Sequence, residues 1–383
     1  MQRSIDRILT THTGSLPRNA ELLEVLSTWT PQTAEEIRSS PLVAEAVSDV
    51  VARQATAGID IVSDGDQGKP GFCNYLSARM DGISGQSDPW TIRDLVTVPE
   101  LFAFYFSGEV TPHSGMPACE GELRYHGQDA VRADLAILQA AMRSAGAEAG
   151  FVTAPAPGCI ATHMTGRHYD GYESYLFAAA EAMRPEYAAI ATSGLTLQLD
   201  SPDLGVVGHS DFWMSEFIEK VGYRRYLELN VEAINIATEG LDPDALRIHL
   251  CWGNYEGPHH LDTPLSEVID IVLSRARPSG VGFEAANPRH EHEWEVFRDV
   301  TVPEDKVLVP GVIDTTTNFV EHPRLVAQRI ERFAGLVGKE RVVAGTDCGF
   351  GTFAGVGSVF ADVAWLKLGS LVEGAQIASD RLW

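Results

Sequence analysis

His249 and Cys251 stand one residue apart in the β-rich run Leu246-Arg247-Ile248-His249-Leu250-Cys251. Side chains two positions apart on a strand share a face, so this imidazole and thiol can converge on one ion. A second thiol closes another β run at Thr346-Asp347-Cys348-Gly349-Phe350-Gly351, where glycines allow tight turning and close backbone approach. Between the two, Glu284 ends the apolar run Val281-Gly282-Phe283, and a carboxylate there is costly to bury without a cation. Taken singly, each has an ordinary explanation: a satisfied core histidine, a buried cysteine before a loop, a structural salt bridge. Together they supply two sulfurs, one nitrogen and one oxygen, the donor set of tetrahedral zinc with Zn–S near ~2.3 Å.

Structural zinc sites cluster their ligands in short loops, whereas this set is spread from His249 to Cys348. That dispersal favours catalysis. Zinc with two thiolates, neutral His249 and ionised Glu284 carries one net negative charge, and exchanging the carboxylate for a substrate thiolate leaves that charge unchanged. Zinc lowers a bound thiol's pKa while two protein thiolates keep the sulfur nucleophilic, so the expected chemistry is attack by sulfur rather than by water.

The elements that must position these groups recur as short β runs followed by longer helical periodicity. Eight candidate strands are Ile8–His12, Asp60–Asp64, Phe151–Ala154, Leu195–Asp200, Leu246–Cys251, Gly280–Ala285, Lys306–Val312 and Arg341–Thr346. Amphipathic stretches such as Leu42, Val43, Ala46, Val47, Val50, Val51 and Leu325, Val326, Ile330, Phe333, Leu336 predict core-facing helices between them. The pattern predicts an α/β fold, a (β/α)8 TIM barrel formed by residues 1–383 as one domain, with a doubly wound sheet as the alternative. Residues 85–121 lack clear periodicity and are expected to be an excursion between the second and third barrel strands, a lid or a helical insertion. At the strand ends stand His12, Ser15, Asp64, Asp66, Asp200, His249, Cys251, Glu284, Asp314, Asp347 and Cys348, where a barrel keeps its chemistry.

A formal net charge of −24 argues against nucleic acid or an anionic membrane as the main partner. Five scattered cysteines suit a reducing compartment, and no apolar run approaches the ~20 residues of a membrane span, so a cytoplasmic location is expected. The sequence leaves open whether the chain is a homo-oligomer.

These residues resemble the catalytic half of cobalamin-independent methionine synthase and its single-barrel relatives, which include the epoxyalkane:coenzyme M transferases. The resemblance spans nearly the whole chain. It is carried by Thr11-His12-Thr13-Gly14-Ser15-Leu16-Pro17, by Gly58-Ile59-Asp60-Ile61-Val62 leading to Asp64-Gly65-Asp66, and by Leu197-Gln198-Leu199-Asp200. It continues through His249-x-Cys251, Phe283-Glu284 and Thr346-Asp347-Cys348-Gly349. It implies His249, Cys251, Glu284 and Cys348 as Zn2+ ligands, Glu284 being displaced by the thiol, and Ser15, Asp66 and Asp200 as contacts of a small thiol's carboxylate and ammonium. The expected reaction is methyl transfer of methionine-synthase type, from folate or another methyl donor. The alternatives are thiol addition to an epoxide and a noncatalytic zinc- or thiol-binding barrel.

Two features depart from methionine synthase. Its second, amino-terminal barrel has no counterpart in these 383 residues, and Asp66 stands where it carries a glutamate. His12 replaces a threonine-like position; its readings are a proton donor to a leaving group or opened epoxide, and a loop-holding histidine. Trp252, beside a ligand, is the one tryptophan expected to touch substrate. His259-His260 and His290-Glu291-His292 fall in polar stretches and are expected to be solvated rather than a second metal site. Gly349-x-Gly351-x-x-Ala354 resembles a dinucleotide-binding pattern, but no further β/α unit follows it.

Overall fold

A computed structural model describes residues 1–106 and 115–383; residues 107–114, within the predicted 85–121 excursion, lie outside the described residues. Eight short strands run parallel: β1 (Leu9–Thr10), β2 (Ile61–Ser63), β3 (Ala149–Pro155), β4 (Thr196–Ser201), β5 (Leu246–Leu250), β6 (Gly280–Phe283), β7 (Val307–Pro310) and β8 (Val343–Ala344). Each overlaps one predicted run. Strands β2 to β7 pair in sequence order as a six-stranded sheet, and β1 pairs with β8. Parallel bridges Leu308↔Val342 and Gly311↔Gly345 join the β7 edge to the β8 edge.

The sheet is curled, and its far edges approach each other. Thr11 Oγ1 donates to Ile61 O at 3.1 Å and Thr10 N to Asp60 Oδ2 at 2.8 Å, so side chains link the β1 and β2 ends. Inside the curl, Ile61 and Phe151 from one side pack with Val307, Val309 and Val343 from the other, together with Met1.

Helices cover the outer face. The helix Pro41–Ala57 begins at Ser40, whose hydroxyl accepts from Leu42 N, has proline at its first position, and stops at Gly58 with φ of 90°. It buries Val43, Ala46, Val47, Val50 and Val51 of the predicted stripe, with Leu42 partly covered. Each of the buried valines stabilises by about 1.5–3 kcal/mol relative to exposure. Pro323–Val337 likewise buries Val326, Ile330 and Phe333. Among the described residues no helix is long and apolar enough to cross a membrane.

Between β2 and β3 the chain forms an antiparallel pair, Met80–Ser84 with Ala118–Tyr125, and the short helices Arg93–Val96 and Pro99–Phe106. Thr91–Ile92 pairs antiparallel with Ser210–Asp211, which lies beyond β4. This stretch therefore reaches the loops at the carboxyl ends of the strands.

Strand periodicity sets the interior of the curl. Arg247, His249 and Cys251 alternate with Ile248 and Leu250, and the register places Gln198 opposite Arg247 and Asp200 opposite His249. On the other side of β5, Gly280 faces Arg247, where a β-carbon would lie 2.6 Å from the arginine Cβ. Glycine there makes room for a fully buried guanidinium.

Candidate metal centre

That guanidinium supports the site from below. Arg247 donates through Nε to Gln198 Oε1 at 2.7 Å, through Nη1 to Thr11 Oγ1 at 3.1 Å and through Nη2 to His12 O at 2.8 Å. It lies 3.6 Å over the Phe151 ring. Two residues along the same face, His249 is 5% exposed and its Nε2 has no hydrogen-bond partner among the described residues. Burial, with Arg247 nearby, pushes its pKa down to about 3, so the imidazole is neutral.

His249, Cys251 and Cys348 come together: one ligand atom from each lies within 4.8 Å of the others. The two Sγ atoms are 3.8 Å apart. A tetrahedral ion with Zn–S near 2.3 Å sets its sulfurs roughly 3.8 Å apart, whereas a disulfide needs about 2.05 Å. An orphaned neutral imidazole beside two free thiols at that spacing fits zinc.

Glu284 stands next to this trio but outside it. Its Oε1 accepts from Trp252 N at 2.8 Å and its Oε2 from Asn287 Nδ2 at 2.9 Å. Burial raises its pKa, countered most by nearby His290.

Asp347, one of the strand-end residues, joins the two halves of the site. Its Oδ1 accepts from Ala285 N at 2.8 Å and Ala286 N at 2.9 Å, and its Oδ2 from Asn287 N at 2.8 Å and Asn287 Nδ2 at 3.1 Å. The carboxylate thereby pins the loop after Glu284 to the residue before Cys348. Asn254 makes a similar tie, donating to Gly349 O and Thr352 Oγ1, each at 2.8 Å.

The expected substrate groups occupy the neighbouring strand ends. Asp66, at φ 53°, pairs with Lys69 Nζ at 2.9 Å and accepts from Thr153 Oγ1 at 2.8 Å. Burial alone would raise its pKa, but Lys69 and Arg18 bring it below the ordinary value. Asp200 accepts from Gln198 Nε2 at 2.7 Å; burial and then Asp66 push its pKa up to about 7. Ser15 Oγ accepts from Gly351 N at 3.2 Å, and a β-carbon on Gly349 would meet that oxygen at 2.1 Å. The Cys348 loop can therefore pass Ser15 only because residue 349 is glycine.

Trp252 and His12 both sit inside the protein. Trp252 is fully buried, its Nε1 donating to Thr263 O at 2.6 Å and its ring packed 4.7 Å from that of His290, so the indole lies behind the trio with no face open to substrate. His12 is 2% exposed, with Nε2 2.8 Å from Gln54 Oε1 and Nδ1 accepting from Gly14 N at 3.2 Å. Both nitrogens are engaged in holding the loop. Burial takes the pKa of His12 down to about 4, so the ring is neutral.

A curled parallel sheet with a neutral imidazole, two thiols and several carboxylates at the carboxyl ends of its strands defines an α/β protein that keeps its chemistry on one rim. Residues 8–93 match the family described as "Cobalamin-independent synthase, Catalytic domain". The methionine synthase of Thermococcus kodakarensis is 24% identical over 96% of this chain and 93% of its own length. The 2-hydroxypropyl-CoM lyase of Xanthobacter autotrophicus is 23% identical over 93% of this chain and 90% of its own. The solved structure of a B12-independent methionine synthase from Shewanella sp. W3-18-1, in complex with selenomethionine, superposes with a TM-score of 0.72 at 19% identity, covering 98% of this chain and 99% of that one. Over nearly its whole length the chain is thus similar to cobalamin-independent methionine synthases and to 2-hydroxypropyl-CoM lyase.

Proposed function

We propose that residues 1–383 form one closed (β/α)8 barrel, with 85–121 inserted between its second and third strands, that acts as a zinc-dependent thiol alkyltransferase. The reaction is methyl transfer of methionine-synthase type to a small homocysteine-like thiol, from folate or another methyl donor. One observation carries this reading: His249, Cys251 and Cys348 gather within 4.8 Å, with the sulfurs at the spacing of a tetrahedral edge.

His249, Cys251, Cys348 and Glu284 would hold the ion. When bound, zinc supplies a Lewis acid that lowers the pKa of a substrate thiol and keeps its sulfur available for attack on the alkyl donor. Trp252 N and the Asn287 amide give the Glu284 carboxylate two hydrogen bonds in which to rest once a thiol takes its place. Asp200 faces inward without a cationic partner within ion-pair distance among the described residues, so a substrate ammonium can supply the missing charge and favour its ionised form. Ser15 offers a hydroxyl donor to the substrate carboxylate. His12 holds the loop and does not hand over a proton.

The lyase relative keeps a second reading open, thiol addition to an epoxide. A sulfonate-bearing thiol such as coenzyme M would need a cation, and Lys69 is the candidate. Its Nζ is committed to Asp66, Thr153 O and Thr153 Oγ1, while Arg18 donates to the carbonyls of Gly351, Asp66 and Lys69. These commitments favour the ammonium-bearing thiol. Assaying zinc-loaded protein against homocysteine and coenzyme M, each with methyl-folate and epoxide donors, tests the choice. Turnover with homocysteine and a methyl donor is expected; turnover only with coenzyme M and an epoxide would reverse it.

A further inference from the structure

Of the histidines expected to be solvated, His260 and His292 are exposed, whereas His259 is only partly exposed and His290 is buried. The latter two meet around Asp262, which is 4% exposed, behind the loop that carries Trp252. Four segments converge here: the helix Arg93–Val96 brings Asp94, the turn Val206–His209 brings His209, the loop after β5 brings His259 and Asp262, and the loop after β6 brings His290. Ligand atoms of Asp94, His259 and Asp262 all lie within 4.8 Å of one another.

The hydrogen bonds leave a gap on one side of Asp262. Its Oδ2 faces His259 Nδ1 at 2.8 Å and His290 Nε2 at 3.0 Å. Its Oδ1 has no hydrogen-bond partner among the described residues, although His209 Nε2 lies 3.2 Å away. His209 is 1% exposed, and neither of its ring nitrogens has a hydrogen-bond partner among the described residues. Such an orphan is costly unless something unseen satisfies it. His259 Nε2 lies 3.0 Å from Tyr255 O, a pure acceptor, so that nitrogen carries the proton. In the neutral ring Nδ1 is then a lone pair aimed at a carboxylate, and either a second proton or a cation must lie between them.

Asp94, 0% exposed, is the second carboxylate, and its two oxygens accept from Tyr255 Oη at 2.9 and 2.8 Å. No Lys, Arg or His lies within ion-pair distance of it among the described residues. Three imidazoles surround Asp262; with Glu293 balancing His290, the carboxylates of Asp94 and Asp262 are left facing His209 and His259, and one dication neutralises them.

We propose that Asp94, His209, His259 and Asp262 form a second metal site, for a divalent transition ion such as Zn2+, Co2+ or Mn2+, separate from the thiolate trio. With metal–ligand bonds of about 2.0–2.2 Å, adjacent donor atoms sit roughly 2.8–3.1 Å apart around an octahedral ion and roughly 3.3–3.6 Å apart around a tetrahedral one, and His209 and Asp262 stand 3.2 Å apart. Tyr255 and His290 act as the outer partners that orient the ligating carboxylates, and Glu293 Oε2 lies 2.7 Å from His290 Nδ1. A cavity of about 340 Å³ bordered by Arg93, Gly208, Asp262 and Thr263 gives an ion a way in. The site would clamp the segment between β2 and β3 to the loops behind Trp252 and Glu284.

Cobalt titration of the full chain tests this independently of the thiolate site, because only sulfur ligation gives an intense near-ultraviolet charge-transfer band. The native chain is expected to take up two equivalents. Cys251→Ser/Cys348→Ser should keep one, with visible d–d absorption and no thiolate band, while Asp94→Asn/His259→Gln should lose one and keep that band. A folded cysteine double variant that binds no cobalt would overturn the proposal. So would an Asp94→Asn/His259→Gln protein that still binds two equivalents, and this second variant decides if the first fails to fold. A native chain binding one equivalent without the thiolate band would instead remove the zinc transferase reading and leave this site standing.

Discussion

Replacing Asp347 with asparagine perturbs the tie between the two halves of the site with little change of shape. Four donors point at its carboxylate: three backbone N–H groups, of Ala285, Ala286 and Asn287, and the Asn287 side-chain amide. Burial beside Glu284 and Asp314 raises its pKa, yet a protonated carboxyl could not accept from all four donors, so the ionised form is the one this geometry serves. An asparagine in either flip turns one oxygen into an NH2 group that faces two of those donors. A hydrogen bond to a charged group contributes about 1.5–3 kcal/mol, so losing two predicts a destabilisation of about 3–6 kcal/mol. Urea unfolding of metal-free protein measures it as a lower midpoint at unchanged slope. A shift below about 0.5 kcal/mol would refute the reasoning, since that is the range of substitutions that disturb nothing specific.

Three further outcomes follow from the same geometry. Asp200 has a folded-state pKa of about 7 against an ordinary 3.8, so the native state holds a proton that the unfolded chain has lost; stability from this group is full below pH 3.8 and falls as pH rises to about 7. Asp200→Asn should flatten that part of the stability–pH curve, and an unchanged curve would contradict it. Gly280→Ala would place a β-carbon 2.6 Å from Arg247 Cβ and 2.4 Å from Met1 Sδ; the expected cost of about 1–3 kcal/mol, read by urea unfolding, fails if stability is unchanged. His12→Asn preserves an acceptor for Gly14 N and should keep kcat within about tenfold, whereas a loss of about 10²–10⁴ would restore the proton-donor role.

Much of this arrangement was legible in the sequence because strand periodicity is local. His249 and Cys251 must share a face, and the β run before Cys348 ends in a glycine-rich turn, so convergence at one rim followed from the strand pattern alone. What depends on distant contacts was not legible. Trp252 looked open to substrate, but its indole N–H finds Thr263 O and its ring finds His290 across the next loop. His259 and His290 looked solvated until Asp262 gathered them with His209, a residue with no local signal. Nothing near Gln54 announced that this helical glutamine would bind His12. Asp347 was visible at a strand end, but not the three consecutive backbone N–H groups it holds.

Zinc X-ray absorption on protein carrying one equivalent of the metal tests the central claim most directly. Two sulfurs, one imidazole nitrogen and one oxygen donor per zinc are predicted, with a third sulfur replacing the oxygen when homocysteine is added. A first shell of nitrogen and oxygen only, or a sulfur count that homocysteine leaves unchanged, would contradict the account.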